Sequence, residues 1–414
     1  MHLQRLSLTN YRNYVRLELA LPAGISVVQG QNAQGKSNLL EAITYLATSR
    51  SPRTSSDNEL INWSALDEPY PYMRLAAELN RGSRVQMVDI TMMPGKGNGR
   101  FRKQVRINGV NKRALDMVGL MLVVLFRPED VDLVSGSPSL RRRYLDVALC
   151  QMEPAYCRAL SQYNKSLSQR NALLRNLREN PKDAAAQLRY WDEKLVETGS
   201  LVMAKRQWFI NEIEQAASLR HLDLSGGYER LKIRYLPSFD PGHQPIHEQA
   251  SYPSTNSLRE HGVSYGDLSP DQVRASFLSH LHAGRSRDLG AGMSLLGPHR
   301  DDVGFYLGEH NLRNYGSRGQ QRTAALASKM AELMIMTEVS GESPVLLLDD
   351  VMSELDAARR GMVVDALLSA PQAIITTTDW ERFDDAFLAT ANTLHVREGQ
   401  LTQTALEQDE DEHG

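Results

Sequence analysis

The segment from residue 30 to residue 37 contains residue types that bind phosphate. It matches the pattern G-x-x-x-x-G-K-[ST] without a gap and reads Gly30, Gln31, Asn32, Ala33, Gln34, Gly35, Lys36, Ser37. In this pattern backbone N–H groups turn inward around the phosphate oxygens. The lysine places a positive charge beside the β- and γ-phosphates, and the hydroxyl can ligate Mg²⁺. The segment therefore predicts a nucleotide site. The alternative is a glycine-rich turn that matches by chance.

The residues on either side favour the nucleotide site. An apolar run from Ile25 to Val28 predicts a buried strand that leads into the glycines, and residues 39–46 have the spacing of a helix with an apolar face. The amino-terminal end of such a helix adds its dipole to an anion site. Strand, loop and helix therefore occur in the order that phosphate binding requires.

A second apolar run, from Pro344 to Leu348, ends in the carboxylates Asp349 and Asp350. In a phosphate-loop enzyme the strand beside the loop presents an aspartate to Mg²⁺, and the next acid can orient the attacking water. We expect Asp349 in the metal shell with Ser37, and Asp350 as the general base. The alternative is a buried strand followed by a turn or a helix cap.

A third group of candidates precedes a predicted helix from Thr323 to Thr337. Ser317 and Gly319, followed by Gln320, occupy a helix start whose free N–H donors suit a γ-phosphate. Taken alone, the pattern is more typical of an N-capped surface helix than of a phosphate site.

Composition restricts the class of protein. The chain has 414 residues, 41% of them hydrophobic and 23% charged, which indicates two or three globular domains. It contains no apolar stretch long enough to span a bilayer, and its first residues alternate like a strand rather than forming a signal peptide. The two cysteines, Cys150 and Cys157, are predicted to be free thiols of a reducing cytoplasm, and their spacing argues against a metal site.

Charge is unevenly distributed although the net charge is only −3. Residues 95–115 contain seven basic residues and no acid, whereas residues 407–412 form an acidic tail that we expect to be disordered. The basic stretch predicts DNA contacts through Arg102, Lys103 and Arg106, and its alternative is a solvated hairpin. The run Arg141 to Arg143 is as consistent with internal salt bridges as with DNA contact.

The order of the predicted elements indicates an α/β nucleotide-binding domain in two halves that flank a helical insertion. Strands surround one helix up to about residue 130, and two long antiparallel helices connected near Glu179–Pro181 are predicted between Ser137 and about Arg220. Residues 221–290 look irregular, and strand–helix alternation returns from about Gly292. The predicted division is 1–135, 136–290 and 291–404, with a tail at 405–414.

These motifs together resemble those of the ABC-type ATPases. A Ser-x-Gly-Gln before a helix, an apolar strand ending in two aspartates and the run Ser353-Glu354-Leu355-Asp356 are similar to their signature, Walker B and D-loop. The order and spacing resemble the SMC/Rad50-like branch, and more closely the RecF family of bacterial DNA replication and repair proteins. The closer resemblance rests on residues 6–14, 126–130, 136–138, 141–146, 169–173, 297–302 and 347–350, and extends from residue 1 to about 404.

The resemblance implies an ABC-type ATPase head with an inserted helical arm. It implies that ATP with Mg²⁺ drives a homodimer in which Ser317, Gly319 and Gln320 contact the nucleotide of the other subunit, and that Arg12 also contacts nucleotide. It further implies a slow, DNA-stimulated ATPase of the cytoplasm and nucleoid. Such a protein acts at gaps and single-strand/duplex junctions, where it helps to load recombinase with RecO and RecR.

Two positions depart from the broader ABC pattern. The position after the strand at residues 373–377 reads Thr378-Asp379 where transport ATPases carry a histidine, and no clear Q-loop glutamine occurs near Val123–Phe126. These departures predict slow catalysis. The missing histidine, the missing L-S-G-G-Q and the length of the arm argue against the rival function, an ATPase subunit of a membrane transporter. A nucleotide-gated DNA scaffold without useful hydrolysis is the other alternative.

Overall fold

The computed structural model describes residues 1–82, 84–95, 101–179, 182–242 and 268–403. The acidic tail, Lys96, Arg100 and the middle of the segment predicted to be irregular lie outside these residues. The chain divides into two compact units, one made of Met1–Glu129 and Met336–Gly414, the other of Asp130–Ile335. Residues 291–335, which the sequence places with the carboxy-terminal half of the head, thus cluster with the helical insertion.

The first unit contains an antiparallel sheet of six strands. Its order is β2-β1-β4-β5-β6-β7. Alternation of buried and exposed residues along β2 shows why such strands form, since one face packs on the core and the other faces solvent. The strands are β1 His2–Tyr11, β2 Tyr14–Ala20, β4 Met73–Arg81, β5 Arg84–Pro94, β6 Phe101–Ile107 and β7 Val110–Lys112.

A second sheet of the same unit has the order β15-β14-β3-β13-β12-β8 and is parallel except for the pair β14–β15. β12 is a continuous apolar run up to Asp349, and β3 and β13 are buried along most of their length, as expected for strands covered on both faces. The sequence predicts the strand of Asp349 beside that of the phosphate loop, but β13 lies between them. The strands are β3 Gly24–Gln29, β8 Val123–Phe126, β12 Val345–Asp349, β13 Gln372–Thr377, β14 Asn392–Arg397 and β15 Gln400–Gln403.

Helices of the first unit are short apart from two of 13 residues each. The helix after the phosphate loop buries Leu39, Ile43 and Leu46 in the core that it shares with both sheets. The helices are α1 Lys36–Thr48, α2 Trp63–Leu66, α3 Ala114–Met117, α12 Ala357–Ser369 and α13 Asp385–Ala389.

The second unit is mainly helical. Two contacts show that its two longest helices are antiparallel. Leu177 and Ala184 pack in one cluster beside the connection, and Arg170 pairs with Asp192 farther from the connection on both helices. An additional helix, α5, precedes them, so the sequence underestimated the number of helices here. The helices are α4 Asp132–Ser135, α5 Pro138–Met152, α6 Pro154–Glu179, α7 Ala184–Leu224, α8 Pro270–Ala283, α9 Arg285–Ala291, α10 Leu312–Tyr315 and α11 Arg318–Ser340, whose last five residues are counted with the first unit.

A small sheet in the order β11-β10-β9 completes this unit. Its strands are β9 Leu231–Leu236, β10 Asp302–Leu307 and β11 His310–Asn311. β9 belongs to the segment predicted to be irregular, yet it pairs antiparallel with β10 over its whole length. Neither cysteine forms a disulfide, as predicted. Within the described ranges, no helix combines the length and apolar character needed to cross a bilayer.

Candidate nucleotide site

The phosphate-loop segment leaves β3 after Gln29 and enters α1 at Lys36. Ala33 and Gly35 have positive φ angles of 67° and 119°. A Cβ atom on Gly35 would lie 2.7 Å from Asn13 Nδ2 and 2.9 Å from Tyr14 Oη, so only glycine fits there. The first bond of the helix joins Leu39 N–H to Gly35 O, which leaves the N–H groups before it free of intrahelical partners. The loop thus has the backbone that anion binding requires.

The Lys36 side chain lies over this loop. Its Nζ donates to Gly30 O at 2.5 Å and to Gln31 O at 3.0 Å. Burial lowers the pKa of Lys36, while the charges of Asp350 and Asp349 oppose that shift. The ammonium is therefore held inside the loop by carbonyl oxygens, where phosphate oxygens can replace them.

Ser37 and Asp349 come together although 312 positions separate them in the sequence. Ser37 Oγ donates to Asp349 Oδ1 at 2.8 Å, and Thr376 Oγ1 donates to the same oxygen at 3.0 Å. Neighbouring ligands of an octahedral Mg²⁺ lie about 3 Å apart, given bonds of about 2.1 Å. The Ser37 and Asp349 oxygens therefore fit two adjacent positions around Mg²⁺, with Thr376 orienting the carboxylate.

Asp350 has a left-handed backbone, with φ 52°. Its N–H donates to Thr376 O at 3.2 Å and to Thr376 Oγ1 at 3.1 Å, so β13 holds this conformation. Non-glycine residues in this region are strained and occur often at functional sites. Sequence reasoning identified the two aspartates but not Thr376, which lies on the strand inserted between β3 and β12.

Arg12 lies beside the loop in the same unit. Its Nε and Nη2 each donate to the Glu41 carboxylate at 2.9 Å, and Nη1 donates to Glu59 O at 2.8 Å. Burial opposes its charge, yet the hydrogen bond and charge of Glu41 raise the pKa of Arg12. Arg12, Asn38, Arg53 and the exposed Trp63 line a cleft of about 550 Å³.

Glu41 was missed by sequence reasoning, because its signal depends on burial that only the structure shows. It follows Lys36 by five positions in α1 and its side chain is fully buried, so it requires a cationic partner. Ser51 Oγ also donates to Glu41 Oε1. Glu41 thus orients Arg12 at the wall of the cleft.

Ser317, Gly319 and Gln320 lie in the second unit, at the start of α11. Ser317 N–H donates to Gln320 Oε1 at 2.9 Å, and Gln320 N–H donates to Ser317 Oγ at 3.2 Å, which forms a capping box. Gln320 Nε2 also donates to Glu229 Oε1 at 2.6 Å. Gly319 is exposed, and a Cβ atom on it would meet only Ser317 Oγ, at 3.8 Å. Packing within this chain does not require the glycine, so the helix start presents an open surface.

The predicted DNA-contacting residues separate onto two faces of β6. Arg102 and Arg106 are exposed. Lys103 is a correction, because its Nζ donates to Ser49 O at 2.8 Å and to Asp57 Oδ2 at 3.2 Å. It also lies 4.3 Å from the centre of the Tyr45 ring. The Lys103 ammonium is therefore already paired within the first unit, which argues against its predicted role in DNA contact.

Arg141 of α5 follows the internal salt-bridge alternative, and Arg142 also bonds within the second unit. Arg141 pairs with Asp302 through Nε at 2.6 Å and Nη2 at 3.0 Å, and is buried. Arg142 Nη1 donates to Asp301 O at 2.7 Å. These two side chains join α5 to β10.

A parallel sheet with a phosphate loop, an aspartate pair and an antiparallel sheet beside it define an ABC-type ATPase head. Comparison with known proteins agrees. The family model described as the RecF/RecN/SMC N terminal domain matches residues 2–402. A solved structure of an SMC head bound to the C-winged helix domain of ScpA has a similar fold, with a TM-score of 0.50 at 16% identity over 98% of each chain.

Closer relatives are RecF proteins. The chain is 41% identical to the DNA replication and repair protein RecF of Chloroflexus aurantiacus, over 97% of this chain and 99% of the relative. It is 38% identical to RecF of Synechocystis sp., over 97% and 98%. A structure described as the recombination mediator protein RecF-ATP in the RecFOR pathway covers 98% of both chains with a TM-score of 0.80 and 32% identity. The chain belongs to the RecF family.

Proposed function

We propose that this protein is an ATP-dependent DNA-binding protein of recombinational repair and replication restart, and a slow ATPase that DNA stimulates. The observation that carries the proposal is the 2.8 Å contact between Ser37 Oγ and Asp349 Oδ1 beside the Lys36 ammonium. Binding of a nucleoside triphosphate with Mg²⁺ requires this hydroxyl, this carboxylate and this ammonium in one place. The relative described as RecF-ATP supports ATP as the nucleotide.

Each group of the first unit has a role in this proposal. N–H groups at the start of α1 bind the β-phosphate, Lys36 neutralises charge on the γ-phosphate, and Ser37 and Asp349 hold Mg²⁺. Asp350 accepts a proton from the attacking water. Arg12 and the cleft beside it receive the nucleoside, with Arg12 oriented by Glu41.

The helix start of α11 completes the site in a second copy of the chain. Ser317, Gly319 and Gln320 offer an exposed positive end of a helix, which attracts the γ-phosphate of a partner subunit. ATP thereby drives dimerisation, and the dimer binds gapped or single-strand/duplex junction DNA. The RecFOR pathway of the relatives supports RecO and RecR as partners in loading recombinase.

Replacement of Asp350 tests the proposal. Asp350→Asn removes the proton acceptor but leaves the Mg²⁺ pair, so ATP affinity should stay within about twofold while turnover falls by about 100-fold or more. Dimers should then accumulate with ATP, as measured by light scattering. The control is Asp365→Asn, which makes the same change from carboxylate to carboxamide at an exposed position of α12.

Wild-type turnover by Asp350→Asn would remove the catalytic assignment. If the Asp350→Asn protein binds ATP but stays monomeric, the proposal of ATP-driven dimerisation is wrong. If wild type binds DNA in the same way with and without hydrolysis, the protein is a nucleotide-gated scaffold instead.

A further inference from the structure

The outer side of the phosphate loop is bonded to two distant parts of the chain. Asn13 Nδ2 donates to Gln34 O at 2.9 Å, and Tyr14 Oη donates to Gly35 O at 2.9 Å. From the other end of the sequence, Gly399 N–H also donates to Gln34 O, at 3.1 Å. Two successive carbonyl groups of the loop are thus fixed from outside.

The Gln34 side chain takes part in the same contact. Its Oε1 accepts a hydrogen bond of 2.6 Å from Glu398 N–H. Glu398 and Gly399 form the turn between β14 and β15, so one glutamine bonds to both N–H groups of that turn. Its side chain is therefore directed at the hairpin and is committed there, although the phosphate pattern alone predicts it at the nucleotide.

Close packing leaves no room for a side chain at Gly399, beside Asn13, or at Gly30, beside β14. Gly399 has φ 72°, and a Cβ atom on it would lie 2.4 Å from Asn13 O. At the other end of the loop, a Cβ atom on Gly30 would lie 2.5 Å from Val396 O. The strand β14 and its turn therefore contact the loop at its first and its fifth residue.

The direction of a fixed carbonyl determines the direction of the next N–H group. In a trans peptide the C=O and the following N–H point to opposite sides, and the described residues contain no cis peptide bond. Fixing Gln34 O and Gly35 O on the outside therefore turns the N–H groups of Gly35 and Lys36 to the inside. Those N–H groups are donors that a phosphate needs.

We propose that the carboxy-terminal turn Glu398–Gly399 positions the phosphate loop, and that Gln34 acts as its tether and not as a nucleotide ligand. The inference rests on the proposed ATP function and names positioning residues for that same site. It predicts that a defect at residue 399, about 50 positions after the two aspartates in the sequence, acts on nucleotide affinity.

Two glycine substitutions separate positioning from general strain. Gly399→Ala introduces a side chain at positive φ and against Asn13 O. Gly109→Ala introduces one at φ 77°, in the turn between β6 and β7, where no atom lies within 4 Å of the new Cβ. Both variants carry the backbone strain of alanine at positive φ, but only the first displaces the loop.

The measurements are the thermal midpoint of each variant and its dissociation constant for a fluorescent ATP analogue, without DNA. Gly399→Ala should raise the dissociation constant of the analogue by about tenfold, and Gly109→Ala should raise it by less than about twofold. Gln34→Ala, which removes only the side-chain tether, should raise it several-fold. In the double variant with Gly399→Ala, the two losses should not multiply, because both act on one contact.

The outcomes distinguish this inference from the proposed function. A wild-type protein that does not bind the analogue would overturn the ATP function itself. Wild-type binding together with equal affinities of Gly399→Ala and Gly109→Ala would overturn the positioning role alone. If Gly399→Ala fails to fold, the affinity of Gln34→Ala tests the inference instead. A Gln34→Ala protein that binds the analogue as tightly as wild type would overturn the role of Gln34 as a tether.

Discussion

His299 shows how one residue of the second unit responds to its surroundings. Tyr163 Oη donates to His299 Nδ1 at 2.6 Å, and Nε2 lies 3.1 Å from Ser294 O, to which it donates in the neutral ring. Burial lowers the pKa of His299 from 6.5 to about 4, and the nearby charges of Arg300 and Arg142 act in the same direction. The imidazole is therefore neutral in the folded protein at physiological pH.

We expect a pH dependence of stability from this residue. Below pH 6.5 the unfolded chain binds a proton that folded His299 does not accept until about pH 4. The stabilising contribution is complete above pH 6.5 and is lost as the pH falls toward 4, by up to about 3 kcal/mol. Chemical denaturation followed by circular dichroism between pH 4.5 and 7.5 measures it.

The comparison for this experiment is between two histidine variants. His299→Asn should have a flatter pH dependence than wild type, although it is less stable throughout. His310→Asn, at an exposed position of the same unit, should follow wild type. An unchanged slope in His299→Asn would show that another group titrates.

At this scale the sequence predicted the residues of the loop and the two aspartates, because a short pattern contains their roles. Glu41, Thr376 and Asn13 could not be predicted in the same way. Each acts through a partner that only the fold brings near, such as Arg12 for Glu41. A buried carboxylate in a helix is a signal only once burial is known.

Among the elements, β6 has two faces with different consequences. Its alternation was predictable, and Arg102 and Arg106 do share the exposed face. The partners of Lys103 were not predictable, since Ser49 and Asp57 come from segments about 50 positions earlier. The basic composition of the stretch gives no information about which charges are already paired.

The two faces give opposite predictions for DNA binding. Replacing Arg102 and Arg106 together by Glu should weaken DNA binding and lower the log–log salt slope by about 2, through lost phosphate contacts. Lys103→Ala should leave that slope unchanged but lower the thermal midpoint, since it removes a partly buried ion pair. Fluorescence anisotropy on gapped duplex at several salt concentrations, with calorimetry, measures both. If the arginine variant keeps the wild-type slope, this face does not touch DNA.

For the whole molecule, the general layout followed from the sequence while the division of the chain did not. Two nucleotide-binding segments flanking a helical insertion were predictable from the change of periodicity near residue 137. The assignment of residues 291–335 was not, because β10 pairs with β9 across a long intervening segment. Strand pairing at such separation leaves no local signal.

Strand order in the parallel sheet predicts the effect of shortening the chain. The loop strand β3 pairs with β13 on one side and β14 on the other. Ending the chain at residue 403 removes none of these strands and should leave ATP binding unchanged. Ending it at residue 390 removes β14 and the turn at Gly399, and should abolish ATP binding although the phosphate-loop pattern is intact. Calorimetric titration with ATP measures both, and binding by the shorter chain would contradict the prediction.

The same strand order has a consequence during synthesis on the ribosome. β3 leaves the ribosome early, but its first neighbour, β13, is translated about 340 residues later. At a translation rate of 5–20 residues per second, the apolar segment of β3 stays without a neighbouring strand for roughly 20 to 70 s. A chaperone that shields residues 24–29 in that interval would therefore raise the yield of folded protein. The nucleotide site also requires β14 and its turn, so only a chain translated past Gly399 is able to bind ATP.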